Sequence, residues 1–103
     1  MFRIITLSAL LLCANTMAIA AESVIIGLSY PRTGAYKEEG LAQMRGALLA
    51  IEEINAKGGL LGRSVQLNSR DSSARPDRAE RNVDKFIQDG AAMIFGSVSS
   101  AEA

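Results

Sequence analysis

The 103-residue sequence contains no histidine and no tryptophan, one cysteine and two prolines. Without histidine it lacks the side chain that titrates nearest neutral pH and that ligates metals most often. A lone cysteine closes no disulfide within the chain and builds no thiolate metal site. Excess charge of one sign is also missing. Eleven Lys and Arg stand against eleven Asp and Glu, so neither nucleic acid nor an anionic membrane surface is indicated as a partner. A dinucleotide-binding enzyme needs tight glycines after its first strand, and there the sequence reads GLSYPRTGAYKEEG, with Tyr30 and Pro31 where glycines belong. No paired carboxylates fall in a recognisable catalytic motif. The expectation is a protein that is not an enzyme, with no cofactor, no catalytic residues and no metal site.

A long hydrophobic run is absent as well. The apolar stretch at residues 4–12 is well short of the ~20 residues that cross a bilayer. It follows a basic start, Met1-Phe2-Arg3, and precedes Ala18-Ile19-Ala20-Ala21. That order of charged, apolar and small residues is the pattern of a secretory signal. Cleavage after Ala20 places Ala18 and Ala20 at the two small-residue positions, whereas cleavage after Ala21 would place Ile19 at one of them. An uncleaved anchor is the competing reading, and the short apolar run argues against it. Cys13 follows Leu12, not the small residue of a lipid attachment site, and so is discarded with the signal. Residues 1–20 are thus expected to be a cleavable export signal, and residues 21–103 an exported, cysteine-free domain.

What is present in residues 21–103 alternates between two periods. Residues 23–29 (SVIIGLS) form a short β-rich apolar run bounded by turn residues, a buried strand. A loop punctuated by Pro31 and Gly34 follows. Over residues 38–57, Leu41, Met44, Leu48, Ile51 and Ile54 recur as one face of an amphipathic helix. Alanines raise its propensity, while Gly40 and Gly46 lower it; Gly46 is also a place where the helix can approach a sheet closely. Lys57 suits the negative end of the helix dipole, and Gly58-Gly59 supplies a left-handed stop. Residues 64–69 (SVQLNS) alternate as a half-covered or edge strand does. After the polar loop Asp71-Ser72-Ser73-Ala74-Arg75, Pro76 suits a first helical turn, and Asp77 and Glu80 suit its positive end. Ala79, Val83, Phe86 and Ile87 form the expected buried stripe of this helix, and Gly90 its stop. Residues 91–95 (AAMIF) read as a third, fully apolar strand.

The order is βαβαβ, an α/β fold with a three-layer arrangement around a parallel sheet. A three-stranded sheet of this kind leaves a strand edge and helix faces uncovered. Ser99-Ser100-Ala101-Glu102 has the composition of a helix start with no helix after it. Both features point to an incomplete chain.

Certain residues carry a family resemblance beyond this pattern. Ile25-Ile26-Gly27-Leu28-Ser29, Thr33-Gly34, Gly46-Ala47 and the string from Ala50 to Arg63, AIEEINAKGGLLGR, resemble the N-terminal lobe of leucine/isoleucine/valine-binding proteins. Those are type I periplasmic binding proteins that feed ABC importers. The EEINAKGGLLGR part is the most specific, and the likeness runs from about Val24 to Ser100, with Asp71, Pro76, Asp89-Gly90 and Gly96 in order. Some relatives carry a disulfide whose positions match Ala74 and Ser99, so the resemblance implies a cysteine-free branch. It also implies the start of the N-terminal lobe of a type I periplasmic binding protein, occupying residues 21–103.

Ligands of open α/β sheets bind beyond the carboxyl ends of the strands. There the loop Ser97-Val98-Ser99-Ser100 presents hydroxyls and the amides of a helix start, which suit a carboxylate. The resemblance implies that Ser100, four residues after Gly96, holds the ligand carboxylate; a plain helix-capping role for Ser99 or Ser100 stands beside it. Relatives often place an aromatic residue just before the glycine matching Gly40. Here that position is Glu39, and Tyr36 can substitute from one turn earlier; ordinary surface packing is its alternative. Glu39 is either solvated or faces a ligand amine. Arg32 lies in a loop at the ligand end, whereas Arg63 belongs to a turn away from it.

The function implied is an extracytoplasmic solute-binding protein that captures a branched-chain amino acid or a related small amide or carboxylate and delivers it to an ABC permease in the inner membrane. Two alternatives remain open: the ligand-sensing domain of a receptor, and a truncated product without independent activity.

Overall fold

A computed structural model describes residues 22–103; the expected export signal and its cleavage site lie outside the described residues. Three strands, β1 (Val24–Tyr30), β2 (Val65–Asp71) and β3 (Met93–Phe95), form one sheet in the order β2-β1-β3. Both pairings are parallel, with Ile26 opposite Leu67 on one side and Met93 on the other. Helix α1 (Lys37–Ala56) joins β1 to β2, and α2 (Pro76–Gln88) joins β2 to β3. The expected βαβαβ order and parallel sheet are therefore found. β2 is an edge strand, as its alternation indicated, and β1 is central.

The two helices cover opposite faces of the sheet, because alternate residues of β1 point to opposite sides. Ile26 and Leu28 face α1 and share with Val65, Leu67, Ile51 and Ile54 an apolar space of about 430 Å³. Gly27 and Ser29 face α2. A Cβ on Gly27 would stand 2.7 Å from the ring of Phe86, so glycine lets that ring lie directly on the strand. Phe86 is fully buried, and burying such a side chain contributes about 1.5–3 kcal/mol.

The phases of the two helices differ from expectation. On α2 the buried residues are Ala79, Asn82 and Phe86, while Val83 is 37% and Ile87 64% exposed. Asn82 takes the central position because its amide has partners there. Nδ2 donates to Ser29 Oγ at 3.0 Å and to the Asp71 carbonyl at 3.2 Å, which offsets the cost of burying a polar group. On α1, Leu48 is 47% exposed, and Gln43, Ala47 and Ala50 join Ile51 and Ile54 towards the sheet. Gly46 has nothing within 4 Å of a would-be Cβ. The close approach occurs at Gly40, where a Cβ would fall 1.9 Å from the Pro31 carbonyl oxygen.

Both helices end in the left-handed glycine motif that their sequences suggest. Gly58 donates to Asn55 and Gly59 to Ile54; Gly90 donates to Ile87 and Ala91 to Phe86, which satisfies the last carbonyls. The Asn55 side chain then acts as a short surrogate strand. Its Nδ2 donates to the Val65 carbonyl at 2.9 Å and its Oδ1 accepts from the Val65 amide at 2.7 Å. Within the EEINAKGGLLGR string, Asn55 thus anchors the start of β2. β3 is shorter than residues 91–95 and is not fully buried: Met93 and Phe95 are both about half exposed, since β3 pairs only with β1 among the described residues.

Candidate functional site

The carboxyl ends of all three strands lie at one edge of the sheet, so three loops meet there: residues 31–36 after β1, 72–75 after β2 and 96–99 after β3. Ser99 precedes a 3₁₀ turn, Ser100–Glu102, and its hydroxyl accepts from the Ala101 amide at 3.3 Å. Ser97 Oγ donates to the Ser99 carbonyl at 2.6 Å. Capping is thus the work of Ser99. Ser100 is exposed, and its hydroxyl makes no hydrogen bond among the described residues.

Tyr36 is the residue immediately before α1. Its backbone (φ −103°, ψ 22°) is not fully helical, yet its carbonyl already accepts from the Gly40 amide at 2.9 Å. The side chain is 44% exposed. Glu39, one turn on, is exposed as well, and so is Arg32 in the same loop. Arg63 lies at the other end of the sheet, where its Nε donates to the Glu22 carbonyl at 2.7 Å; it belongs to the turn before β2 and not to this site. The β1 and β3 loops thus bring Tyr36, Ser99 and Ser100 to the same edge.

Sequence reasoning assigned no role to Asp71, the last residue of β2. Its two carboxylate oxygens accept from the Arg32 amide (2.8 Å), the Thr33 amide (3.3 Å), Thr33 Oγ1 (2.6 Å), the Ser73 amide (2.9 Å) and Ser73 Oγ (3.2 Å). Desolvation raises the carboxyl's pKa, but the Thr33 hydroxyl and the Ser73, Arg32 and Thr33 amides outweigh it and bring it from 3.8 to about 2. The legible signal was Asp71-Ser72-Ser73, since an aspartate bonding the amide two residues on is an Asx turn. The link to Thr33 spans 38 positions and left no trace in the local pattern.

The 430 Å³ space under α1 is the interior of a helix-sheet contact, with Gln43 as its one polar side chain. An amino acid zwitterion placed there would leave both charges without partners, at prohibitive cost. The loop edge, with its hydroxyls and solvent access, is the candidate site. Among the described residues no cluster of three or more His, Cys, Asp or Glu side chains could hold a metal ion.

An open parallel sheet with helices on both faces and hydroxyl-bearing loops at the carboxyl ends of its strands is an arrangement in which α/β proteins bind ligands. Residues 23–103 match the periplasmic binding protein family, and the chain belongs to that family. It is 35% identical over 99 residues to the Leu/Ile/Val-binding protein BraC3 of Rhizobium johnstonii, covering 95% of this chain and 27% of that protein. It is 34% identical over 84 residues to the leucine-, isoleucine-, valine-, threonine-, and alanine-binding protein of Pseudomonas aeruginosa, covering 82% of this chain and 22% of that one. Among solved structures, the branched-chain amino acid transporter substrate binding protein LivJ of Streptococcus pneumoniae, in complex with isoleucine, superposes with TM-score 0.75 at 26% identity over 78% of this chain and 23% of its own. A type 1 periplasmic binding protein from Bordetella pertussis gives 0.72 at 32% identity over 78% and 22%. The family foreseen from the string between Ala50 and Arg63 is the one found. It is a family of solute-binding proteins, and the chain spans about a quarter of the length of these relatives.

Proposed function

We propose that the chain supplies one wall of the ligand cleft of an exported solute-binding protein, which captures a branched-chain amino acid or a related small carboxylate or amide for an ABC permease and catalyses no reaction. Ser100 holds the ligand carboxylate, Ser99 shapes the turn that presents it, and Tyr36 packs against the ligand from the β1 loop. The observation that carries this reading is the division of labour between the serines: the Ser99 hydroxyl is used in the cap, while that of Ser100 has no hydrogen-bond partner among the described residues and lies at the carboxyl end of the sheet. Residues 1–20 act as the cleaved export signal, so the periplasmic protein begins at Ala21.

The test is calorimetric titration of the protein expressed from its full reading frame with a panel of amino acids, before and after Ser100→Ala. A hydrogen bond to a charged group is worth ~1.5–3 kcal/mol, so affinity for the preferred amino acid falls about 10- to 100-fold. Unchanged affinity removes Ser100 from the site. N-terminal sequencing of the periplasmic protein reads Ala21 first; retention of Met1 would refute cleavage.

A further inference from the structure

We propose that Thr33 and Asp71 are positioning residues for ligand capture, a carboxylate knot that fixes the β1 loop to the β2 loop so that Tyr36 is held in its binding position before any ligand arrives. The inference rests on the reading of Tyr36 as ligand-facing. It starts from a topological problem. The β1 loop must leave the sheet, turn and enter α1 within residues 31–36, and five of the residues on this path, Arg32, Thr33, Gly34, Ala35 and Tyr36, are exposed. An exposed loop of this kind samples many conformations unless something ties it down.

Three ties are present. Asp71 grips Arg32 and Thr33 through both backbone amides and the Thr33 hydroxyl. Ser73 Oγ, which also donates to Asp71, in turn accepts from Arg78 Nη1 at 2.9 Å, so the knot extends to α2. Gly34, at φ +91°, lies so close to the β2 loop that a Cβ would be 3.3 Å from the Ser73 carbonyl oxygen. Finally, Gly40 is seated on the Pro31 carbonyl. Tyr36 therefore sits between two anchored points, Thr33-Gly34 before it and Gly40 after it.

A carboxylate suits the first tie. As an acceptor-only group it can take all these donors at once, and charge-assisted bonds are stronger than neutral ones. The low pKa of about 2 keeps it ionised throughout the physiological range. If the knot is loosened, the loop populates alternatives, and apparent affinity falls by the fraction of molecules that remain competent. Thr33 has no ligand contact in this scheme, so its effect passes through the loop alone.

The experiment replaces Thr33 with Val and with Ser in the protein from its full reading frame. Amino acid affinity is measured by calorimetry, thermal unfolding is measured without ligand, and hydrogen exchange is followed at the Arg32 and Thr33 amides. Thr33→Val keeps the shape and removes the hydroxyl. It weakens binding about ten-fold and speeds exchange at both amides, while the thermal midpoint falls only by what the loss of one hydrogen bond accounts for. Thr33→Ser restores both. Binding within about two-fold of the parent for Thr33→Val overturns the proposal, and so does equal weakening by Val and Ser, because the hydroxyl is then not the agent. If the valine variant does not fold, Thr33→Ala removes the same hydroxyl with less bulk and is judged by the same outcomes. Failure of the unaltered protein to bind any amino acid would instead overturn the proposed function, and this inference with it.

Discussion

Asp71 makes an unusual demand on pH. Its pKa is lowered in the fold from 3.8 to about 2, so its stabilising bonds are fully present above the unfolded-state value and are lost as pH falls through the folded one. Asp71→Asn should therefore have a lower urea midpoint than the parent at neutral pH. The gap should narrow as pH falls below about 4. A gap that stays constant down to about pH 3 would show that the asparagine variant suffers from something other than a missing charge. A second residue, Leu61, pays a local conformational penalty. With Gly62 it forms the centre of a tight turn closed by Leu60 and Arg63, which exchange backbone hydrogen bonds at 2.8 and 2.9 Å. Leu61 has φ 50° and Gly62 φ 76°, the paired positive angles for which Asn-Gly is preferred. Leucine in this region costs roughly 1–2 kcal/mol, and the Leu61 side chain is fully exposed. Leu61→Asn should raise stability by about 1 kcal/mol in urea unfolding; a lower midpoint would mean that the leucine has a packing role the structure does not contain.

At the scale of elements, α1 offers one substitution with two signs. Gly→Ala inside a helix ordinarily stabilises by about 1 kcal/mol. Gly46 has open space around a would-be Cβ, so Gly46→Ala should follow that rule. Gly40→Ala should do the opposite, because its methyl would meet the rigid Pro31 carbonyl, and overpacking typically costs ~1–3 kcal/mol. Thermal unfolding of the two variants separates the cases, and a stabilising Gly40→Ala would show that the loop yields. The sequence could not tell the two glycines apart, since both interrupt the same periodic pattern. Periodicity located every strand and both helices, because burial on one face leaves its mark at spacings of 2 and 3.6 residues. It did not set the rotation of α2, where the buried Asn82 is explained only by Ser29 and Asp71, both remote in sequence. The same limit applies to the site. That Tyr36 follows β1 and Ser100 follows β3 at the carboxyl ends of the strands was legible from the element order, whereas the knot that joins Thr33 to Asp71 exists only after β1 and β2 have paired.

For the whole molecule, the candidate residues share one geometric property: Tyr36, Ser99 and Ser100 all follow the carboxyl ends of strands in a single sheet. A carboxylate docked at Ser100 has hydroxyls on one side, and the acidic side chains nearest in sequence to the proposed residues are Glu39, in the first turn of α1, and Glu102, in the 3₁₀ turn. Small-ligand sites owe their affinity to enclosure, burying most of the ligand surface, and one wall cannot enclose. Relatives of this family are about four times as long as the stretch they share with this chain, which leaves ample sequence for an opposing wall. Residues 21–103 alone should accordingly give no saturable heat with any amino acid up to about 1 mM, the range in which binding is worth only ~4 kcal/mol. Under the proposed function, a protein that also contains an opposing wall should bind its preferred amino acid far more tightly under the same conditions. Saturable, stoichiometric binding by the isolated segment would mean that the loops at the carboxyl edge form a complete site by themselves.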